Sequence, residues 1–450
     1  MPAAQTIAIV LAAGMGTRMR SDTPKVMHQL AGMPLVDHVL AGLSAAGITK
    51  ATVVLGPEMA DQTARFAPHN TVIQTERLGT GHAVKVALDA YDPSESDVLV
   101  VYADTPLLTT ETINALLEQK RNDAAVAVLG FRPDDPGAYG RLITQGDQLE
   151  SIVEAADAST DELKIELCNS GVLVANGQKL GAWVNALKND NTKGEFYLTH
   201  VVALARADNE ACVFTEGEVD ELVGINNRAD LAVAEGIVQN RYRAAVMAAG
   251  VTLQDPASVF LCHDTTFGTD VEVGPFTVFG PGVVIGSHVT IKGFCHFENA
   301  TIGDRAVVGP YARLRPGAEL DEGAHIGNFV EIKNARIEQG AKVNHLSYVG
   351  DARVGQGANV GAGTITANYD GFNKSKTNIG AGASIGSNTV LVAPVNVGDG
   401  AITGAGTVVR KDVPDNAIAV SEAAQRNREG TADAYRAQKK AVKESNGKDS

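Results

Sequence analysis

The stretch VVIGSHVTIKGFCHFENATIGDRAVVG, residues 283–309, decides the fold of the second half of the chain. An apolar residue returns every six positions, and the series continues on both sides with single-residue slips. Its members are Phe267, Val273, Phe279, Ile285, Ile291, Phe297, Ile302, Val308, Leu314, Leu320, Ile326, Ile332, Ile337, Val343, Val349, Val354, Val360, Ile379, Ile385, Leu391 and Val397. Three such hexads make one triangular coil, so the sequence predicts a left-handed parallel β-helix. A sandwich with glycine-rich turns would space its strands about 8–12 residues apart.

Glycine usage separates the two halves of the chain. Of the 47 glycines, 25 lie between residues 251 and 420. Glycine often follows the apolar residue of a hexad, and we expect it to turn the corners of the coil, because it tolerates dihedral angles that β-branched residues cannot adopt. The hexads are interrupted by a polar insertion, Thr366–Asn378. A loop projecting from a regular solenoid is a favourable place for a binding site.

Composition excludes several classes of protein. A chain of 450 residues predicts two or three domains. A net charge of −15 and an aromatic content of 5% argue against a nucleic-acid-binding surface. No apolar run approaches the ~18 residues of a membrane-spanning helix, and Ile7–Ala13 leads into a glycine loop rather than a signal cleavage site. The cysteines lack a CxxC pattern, which indicates reduced thiols in a cytoplasmic protein.

The first part of the chain, residues 1–226, alternates short β-branched runs with helical stretches. The predicted strands are Ile7–Leu11, Ala51–Leu55, Thr71–Gln74, Asp97–Val101 and Ala125–Leu129. The predicted helices are Leu35–Ala46, Gly81–Tyr91 and Thr110–Lys120. This order predicts a Rossmann-like α/β domain with a mostly parallel sheet and a ligand site beyond the strand C-termini. A connecting helix at 227–249, the β-helix at 250–420 and a polar tail at 421–450 follow.

The loop after the first strand reads LAAGMGTRM, residues 11–19. Met19 stands where a dinucleotide fingerprint would need glycine, so the loop is either a phosphate-facing glycine loop or an ordinary tight turn. Arg18 and Lys25 would supply positive charge to a phosphate. Asp104, after the strand Asp97–Val101, is either a turn former or a ligand of a hard metal ion that carries triphosphate.

In the β-helix, cations lie on what should be a regular wall. Arg315 and Lys333 are eighteen residues apart, which is one coil, so we expect them to stack and to clamp one phosphate; a solvated charge ladder is the alternative. His345 follows near the same edge. Histidine titrates in the range of a general base, although a lone histidine is more often structural or exposed.

Several motifs occur together in the first part of the chain. They are Leu11–Met19, Pro24-Lys25, Gln74, Leu78–Ala83, Tyr102–Asp104, Tyr139–Arg141, Glu154, Asn169 and Gly224–Arg228. In this order they resemble the sugar-1-phosphate nucleotidyltransferases. With the β-helix, residues 5–420 resemble the bifunctional N-acetylglucosamine-1-phosphate uridyltransferase/glucosamine-1-phosphate acetyltransferase family. This resemblance implies two activities in UDP-N-acetylglucosamine biosynthesis, namely N-acetylation of glucosamine-1-phosphate by acetyl-CoA and uridylyl transfer from UTP with release of pyrophosphate.

For the first part, the resemblance implies a role at each matching position. Arg18 and Lys25 would act in catalysis by neutralising the triphosphate. The nucleotide and its sugar would be bound by Leu11, Ala12, Ala13, Gly14, Lys25, Gln74, Gly79, Thr80, Tyr102, Ala103, Asp104, Gly140, Glu154, Asn169 and Asn227. Asp104 and one residue of the Asn226-Asn227 pair, by position Asn227, would ligate Mg²⁺.

For the β-helix, the resemblance names His345 as the catalytic base and Ser387 as the side chain that assists the oxyanion. The sugar phosphate would be bound by Arg315, Lys333, Tyr348, Asn359 and Lys374. Acetyl-CoA would be bound by Ala362, Asn368, Tyr369, Ser387 and Ala405. Because the acyl site of such proteins usually lies between subunits, the resemblance also implies a homotrimer.

One segment departs from the family pattern. The family commonly has a late basic residue for the CoA phosphates, where this chain has Glu422; Arg426 or Arg428 could replace it.

Two other functions compete with this interpretation. A nucleotidyltransferase whose β-helix serves only assembly or regulation is disfavoured by His345. A scaffold without catalytic activity is disfavoured by the glycine loop together with Asp104.

Overall fold

The structure is a computed structural model that describes residues 5–91, 93, 95–121, 124–421 and 427–446. The chain divides into two compact units. The first comprises Met1–Thr265 with Val278–Pro281, and the second comprises Thr266–Thr277 with Gly282–Ser450.

In the described part of the first unit, nine strands form one sheet and two form a hairpin. The sheet strands are β1 (Gln5–Ala12), β4 (Ala51–Leu55), β5 (Asn70–Ile73), β6 (Ser96–Tyr102), β7 (Val126–Phe131), β8 (Arg141–Gln145), β9 (Gln148–Val153), β10 (Cys168–Asn176) and β11 (Cys212–Glu216). The hairpin strands are β2 (Gln29–Leu30) and β3 (Met33–Pro34). The sheet order is β5-β4-β1-β6-β10-β7-β11-β9-β8.

Helices α1 (Leu35–Ala45), α2 (Thr80–Ala90), α3 (Thr110–Arg121), α4 (Gly177–Ala186) and α5 (His200–Ala207) cover this sheet. Helix α6 (Arg228–Ala248) packs instead against the hairpin strand β2 and the later strand Thr252–Leu253. Single turns of 3₁₀-helix lie at Thr17–Met19, Lys25–Met27, Glu162–Lys164, Val219–Glu221 and Pro256–Ser258, and a longer one spans Pro57–Phe66. Two-residue strands lie at Thr252–Leu253 and Val278–Phe279.

The five predicted strands and three predicted helices are all confirmed, with ends that differ by at most two residues. The prediction of a parallel sheet holds for β5, β4, β1 and β6, and for the pair β7 and β11. The sheet as a whole is mixed, because β10 is antiparallel to both its neighbours and β9 is antiparallel to β11 and β8. In β1, Ala8 and Val10 pack into one core cluster, and Ile9 and Leu11 pack into another. The strand is apolar throughout because both faces of the sheet are covered.

The predicted helix after residue 226 is observed as α6. Its buried face includes Gln239 and Arg243 as well as the apolar Val238. The Gln239 side chain exchanges two hydrogen bonds with the backbone of Leu261, at 2.7 and 2.8 Å, and Arg243 Nε donates to the carbonyl oxygen of Val259 at 2.9 Å. Burial of these polar side chains is tolerated because the adjoining backbone supplies their hydrogen-bond partners.

The second unit is a left-handed parallel β-helix with three faces, as predicted. Face 1 contains strands Glu272–Val273, Thr290–Ile291, Val307–Val308, His325–Asn328, Lys342–His345, Asn359–Val360, Ser384–Ile385, Ile402–Thr403 and Ile418–Ala419. Face 2 contains His296–Phe297, Arg313–Leu314, Ile365–Ala367, Val390–Val392 and Val408–Val409. Face 3 contains Thr266–Phe267, Val284–Ile285, Ala300–Ile302, Ala318–Leu320, Thr377–Ile379 and Val395–Val397. Strands Glu331–Ile337 and Tyr348–Val354 bend around one corner and join faces 2 and 3.

Neighbouring coils stay in register although their lengths differ. On face 1, Glu272 pairs with Thr290 eighteen residues later, whereas Thr290 pairs with Val307 after seventeen. The insertion lengthens one coil to 25 residues, between Asn359 and Ser384. The predicted hexad residues are buried inside the coil, with the exception of the half-buried Phe267 at its first turn.

Of the glycines that follow hexad residues, Gly309 has the left-handed φ expected at a corner, whereas most of the others have a different role. Gly386 is typical: a Cβ atom there would lie 2.5 Å from the carbonyl oxygen of Thr403 in the next coil, while its φ is not positive. These glycines are therefore required for close approach between coils. Several corner positions with left-handed φ are instead occupied by larger residues, among them Phe294 and Tyr311.

An aromatic stack runs along one corner of the coil. Phe276, Phe294, Tyr311 and Phe329 stack with ring centroids 4.9, 4.9 and 5.1 Å apart. All four have left-handed φ values of 55° to 61° and remain about half exposed. The stack forms because equivalent residues of successive coils are held one strand spacing apart.

The cysteines are free and buried, in agreement with the prediction of reduced thiols. Burial raises the pKa of Cys212 to about 12 and that of Cys295 to about 11. Such thiols stay protonated at neutral pH and are poor nucleophiles.

The described part of the C-terminal tail contains helix α7 (Thr431–Asn446), which the sequence analysis did not predict. Within the described residues, no helix combines the length and apolarity that crossing a bilayer requires.

We expect Phe297→Ala to destabilise the β-helix by about 3–5 kcal/mol, because the Phe297 side chain is fully buried inside the coil and its loss leaves a cavity. Denaturant unfolding followed by circular dichroism measures this change. Phe372→Ala, at a side chain that is 91% exposed, is the matched control and should unfold like the wild type. Equal stability of the two variants would contradict the assignment of Phe297 to the core.

Candidate active sites

The first unit has a cavity of about 270 Å³ at the carboxyl ends of the parallel strands β1 and β6. It is lined by Leu11, Ala12, Ala13, Gly14, Lys25, Val26, Gln74, Arg77, Gly79, Thr80, Ala83, Tyr102, Asp104 and Glu195. Ten of these residues belong to the set assigned to the nucleotide from sequence. The cavity therefore lies where the sheet topology predicts a ligand site.

Two glycines shape the wall of this cavity. Gly16 has a φ of +59°, and a Cβ atom there would lie 2.4 Å from Cβ of Lys25. Gly79 has a φ of +110°, and its Cβ atom would lie 2.7 Å from the carbonyl oxygen of Phe196. Helix α2 begins at Thr80, so the backbone N–H groups of its first turn are at the cavity, where they favour an anion.

A buried cation lies between two oxygen donors at the edge of the cavity. The Lys25 ammonium group forms an ion pair with Asp104 and donates a hydrogen bond to Oδ1 of Asn226 at 2.9 Å. Asn227 does not take part: its Oδ1 accepts from the backbone N–H groups of Ala229 and Asp230 in the N-terminal capping box of α6. The structure thus places Asn226 beside Lys25 and Asp104 and uses Asn227 as a helix cap, while Mg²⁺ ligation by either residue stays a prediction.

Of the residues assigned to the sugar, Gly140 and Asn169 are bonded to each other and Glu154 lies near Tyr102. The backbone N–H of Asn169 donates to the carbonyl oxygen of Gly140 at 2.8 Å, and Glu154 Oε1 accepts from the Thr199 hydroxyl at 3.0 Å. Burial raises the pKa of the Tyr102 phenol, and the nearby charges of Glu154 and Asp104 add to this effect. Tyr102 is thus a neutral hydrogen-bonding group, with Thr80 as its partner.

Six predicted residues of the first unit lie outside the cavity lining, namely Arg18, Ala103, Gly140, Glu154, Asn169 and Asn227. Ala103 is fully buried, and its backbone N–H donates to the carbonyl oxygen of Leu11 at 3.0 Å, which ties β6 to β1. Arg18 is exposed on the 3₁₀ turn Thr17–Met19. The structure brings Lys25 to the cavity wall and leaves Arg18 in solvent.

Arg77 and Glu195 line the cavity and were missed in the sequence analysis. Arg77 Nε donates to the carbonyl oxygen of Ala13 at 2.7 Å, and its guanidinium group also pairs with Glu58. Arg77 lies between Gln74 and Gly79, both assigned to the nucleotide, so its place in the motif was the available signal. No comparable signal pointed to Glu195, because it lies far along the chain on a loop.

In the second unit, five residues occupy the same corner position in successive coils. We call them the site edge: Asn328, His345, Ala362, Ser387 and Ala405. Backbone bonds link consecutive coils at this corner, as in Gly363 N–H to the His345 carbonyl oxygen at 3.2 Å and Gly406 N–H to that of Ser387 at 2.8 Å. The predicted base and three of the residues assigned to acetyl-CoA therefore lie in one line.

His345 is oriented by a residue that the sequence analysis did not single out. Its Nδ1 lies 2.7 Å from Oδ1 of Asn328, directly below it in the register. An amide oxygen only accepts, so with this amide orientation Nδ1 carries the proton and Nε2 keeps its lone pair. That tautomer can accept a proton from a substrate.

The predicted stacking of Arg315 and Lys333 is confirmed by the register, in which Leu314 pairs with Ile332. Arg315 also donates to Oε1 of Glu331 at 2.7 Å, and this bond raises the pKa of its guanidinium group. The positive charges of Lys374 and Arg315 lower the pKa of Lys333. Three of the cations assigned to the sugar phosphate are therefore neighbours.

The other assigned residues lie around this cluster. Tyr348 is beside Glu331 in the register of face 2, whereas Asn359 is on face 1, opposite Lys342 and Ser384. Asn368 is the first residue of the insertion after strand Ile365–Ala367, and an isolated bridge pairs Tyr369 with Lys374. The structure thus gathers Arg315, Lys333, Tyr348 and Lys374 and places Asn359 across the corner. Glu422 and Arg426 fall outside the described residues, and Arg428 is exposed.

Comparisons with known proteins match both units of the chain. The family model of the MobA-like NTP transferase domain matches residues 8–162, and that of the bacterial transferase hexapeptide (six repeats) matches residues 299–334. The bifunctional protein GlmU of Paramagnetospirillum magneticum is 55% identical over 98% of this chain and 99% of its own length. The chain belongs to the bifunctional GlmU family.

Two further GlmU proteins support this assignment. Those of Azorhizobium caulinodans and Rhodospirillum rubrum are each 53% identical over 96% of this chain, and cover 97% and 98% of their own lengths. As a GlmU protein, the chain is an enzyme with a nucleotidyltransferase domain and a hexapeptide acetyltransferase domain. The predicted uridyl transfer and N-acetylation are confirmed by this membership.

We expect Asn227→Ala to lower the free energy of unfolding of the first unit by about 1 kcal/mol, because it removes the cap of α6. Asn226→Ala keeps the cap and is the matched control. Thermal unfolding of both variants measures the difference. If Asn226→Ala proved the more destabilising of the two, the capping assignment would be wrong.

Proposed function

We propose that the β-helix acetylates glucosamine-1-phosphate with acetyl-CoA, and that the α/β domain then couples the product to UTP with Mg²⁺. The observation that carries the proposal is the Lys25–Asp104–Asn226 cluster at the strand ends, together with the separate line of His345 and Ser387 on the coil. Each site has the chemistry that one of the two steps requires.

In the first unit, uridylyl transfer needs no protein nucleophile. A phosphate oxygen of N-acetylglucosamine-1-phosphate attacks the α-phosphorus of UTP, and the bond to the leaving pyrophosphate breaks. Lys25 places a positive charge at the cavity wall, and the N-terminus of α2 adds backbone donors. Gly140, Glu154 and Asn169 hold the sugar beside Tyr102. Positioning and charge neutralisation account for most of the catalysis in such transfers.

The residues around Lys25 fit a divalent cation. In the structure the Lys25 ammonium group stands between the Asp104 carboxylate and the Asn226 carbonyl oxygen, which are hard oxygen donors of the kind that Mg²⁺ binds. Asp104 and Asn226 would hold the ion. When bound, Mg²⁺ supplies positive charge that neutralises the triphosphate.

In the second unit, His345 acts as the base. The amine of glucosamine-1-phosphate attacks the thioester carbonyl carbon, and the nitrogen gives up a proton to Nε2 of His345. The oxyanion is stabilised by Ser387, the C–S bond then breaks, and the proton passes to the departing CoA thiolate. Arg315, Lys333 and Lys374 bind the sugar phosphate, because their charges converge on one side of the coil.

The subunit arrangement and cellular location complete the proposal. We infer a homotrimer in the cytoplasm, with acetyl-CoA lying along the site edge. Support for the trimer is the hexapeptide repeat, and support for a reducing compartment is the set of buried free cysteines. Among the described basic residues after the coil, we assign the CoA phosphates to the exposed Arg428.

Two variants test the two-site model. We expect His345→Ala to reduce acetyl transfer by about 100-fold or more, because the base is lost, and to leave uridylyl transfer unchanged. Asp104→Ala should do the reverse. Release of free thiol from acetyl-CoA with glucosamine-1-phosphate measures the first step, and pyrophosphate release with UTP and Mg²⁺ measures the second.

The wild-type protein decides between the competing functions. Absence of thiol release would leave a nucleotidyltransferase whose β-helix serves assembly, and absence of both products would leave a scaffold. Asn226→Ala should raise the Mg²⁺ concentration needed for half-maximal pyrophosphate release, whereas the helix-cap variant Asn227→Ala should keep the wild-type requirement. An unchanged requirement in Asn226→Ala would remove that residue from the metal site.

A further inference from the structure

Asp351 is a buried carboxylate at the corner between faces 2 and 3 of the coil, within strand Tyr348–Val354. Its residue is 7% exposed and adopts a left-handed φ of 47°. Burying an ionised carboxylate costs several kcal/mol unless hydrogen bonds and opposite charges compensate. The mechanism proposed above makes no use of this group.

Two amides hold the Asp351 carboxylate. Oδ1 accepts a hydrogen bond from Nδ2 of Asn334 at 2.5 Å, and Oδ2 accepts one from Nδ2 of Asn368 at 2.5 Å. Asn334 and Asn368 lie seventeen residues before and after Asp351, so the carboxylate links three successive coils. Asn368 is the residue from which the insertion departs, and its carbonyl oxygen accepts from the backbone N–H of Ser375 at 2.9 Å, which closes the base of the loop.

The positive charges of Lys333 and Lys374 both act on the Asp351 carboxylate. Burial alone would raise the pKa of Asp351, but the bonds from Asn334 and Asn368 and the charges of Lys374 and Lys333 outweigh it, so the pKa is lowered. In the other direction, Lys374 and Arg315 lower the pKa of Lys333, and Asp351 opposes them. Asp351 is therefore bonded to Asn334 and Asn368, and its negative charge lies near enough to act on Lys333.

We propose that Asp351 is a positioning residue of the acetyltransferase site, which fixes the base of the insertion through Asn368 and supplies the negative charge that lets Lys333 and Lys374 converge on the phosphate of the amino sugar. The inference rests on the proposed acetyl transfer at this site. Arg315 does not depend on Asp351 for a negative partner, because its guanidinium group already pairs with Glu331.

Loss of the Asp351 carboxylate has a predictable effect on the pH dependence of KM for glucosamine-1-phosphate. The titratable or charged groups facing Lys333 are Lys374, Arg315 and Asp351. Without the Asp351 charge, the two like charges lower the pKa of Lys333 further, and the lysine loses its proton at a lower pH. The alkaline rise in KM for glucosamine-1-phosphate should then begin at a lower pH.

Asp351→Asn tests the proposal in the full-length protein, since it keeps the size of the side chain and removes its charge. We expect KM for glucosamine-1-phosphate at pH 8 to rise about tenfold, the loss typical of one hydrogen-bonded charge. The alkaline rise in this KM, measured from pH 7 to 10, should shift by roughly 0.5–1 unit to lower pH. Calorimetric titration with glucosamine-1-phosphate gives the same profile without turnover.

Three further variants separate charge from structure. Asp351→Glu keeps the charge, so its alkaline limb should stay at the wild-type position. Adding Lys374→Met to Asp351→Asn removes one of the repelling charges, so the limb should return toward wild type. Asp321→Asn, which removes an exposed carboxylate paired with Arg336 at 3.1 Å, is the matched control and should leave the KM profile unchanged.

Each outcome bears on the proposal. A wild-type KM and pH profile in Asp351→Asn would overturn it, as would a uniform loss of kcat, melting temperature and pyrophosphate release without a shift of the alkaline limb, which indicates a purely structural role. Should Asp351→Asn fail to fold, Asp351→Glu compared with Lys374→Met decides the same point. Failure of the wild type to release thiol would instead defeat the proposed acetyl transfer itself.

Discussion

Backbone hydrogen bonds between successive coils are the constraint on which the second unit depends. Each coil has to return the chain to the same position one strand spacing above, so residues that are seventeen or eighteen apart in sequence become neighbours in space. The line of His345 and Ser387, the stacked pair Arg315 and Lys333, and the three-coil link through Asp351 are consequences of this one rule. The residues that we propose for acetyl transfer are thus arranged along a corner by the fold itself.

In the first unit, distant residues are brought together by a parallel sheet instead of by stacked coils. Parallel strands β1 and β6 end at one edge of the sheet, where Leu11 and Tyr102 are in register. The loops that follow bring Lys25 and Asp104 together across 79 residues of sequence. Asn226 arrives there because it immediately precedes the cap of α6, so the same helix start that stabilises the domain also delivers an oxygen donor to the cavity.

Much of the fold could be predicted from sequence because its patterns are local. The six-residue period predicts the coil, and a spacing of eighteen predicts the contact between Arg315 and Lys333. The choice between Asn226 and Asn227 could not be made, since adjacent residues of the same type differ only in which one caps the helix. Asp351 gave no signal either, because an aspartate at a corner is usually a turn former, and its burial depends on Asn334 and Asn368 in other coils. Corner dihedrals were assigned to glycine, although many glycines serve close approach between coils.

The coexistence of coils of seventeen and eighteen residues has an evolutionary consequence. A residue can be gained or lost at a corner, and the register of the next coil is restored within a few positions. A deletion within a two-residue strand would instead turn an inward side chain outward and expose the core. Length variation among descendants of this sequence should therefore accumulate at corners and in the insertion, while the inward positions change by substitution alone.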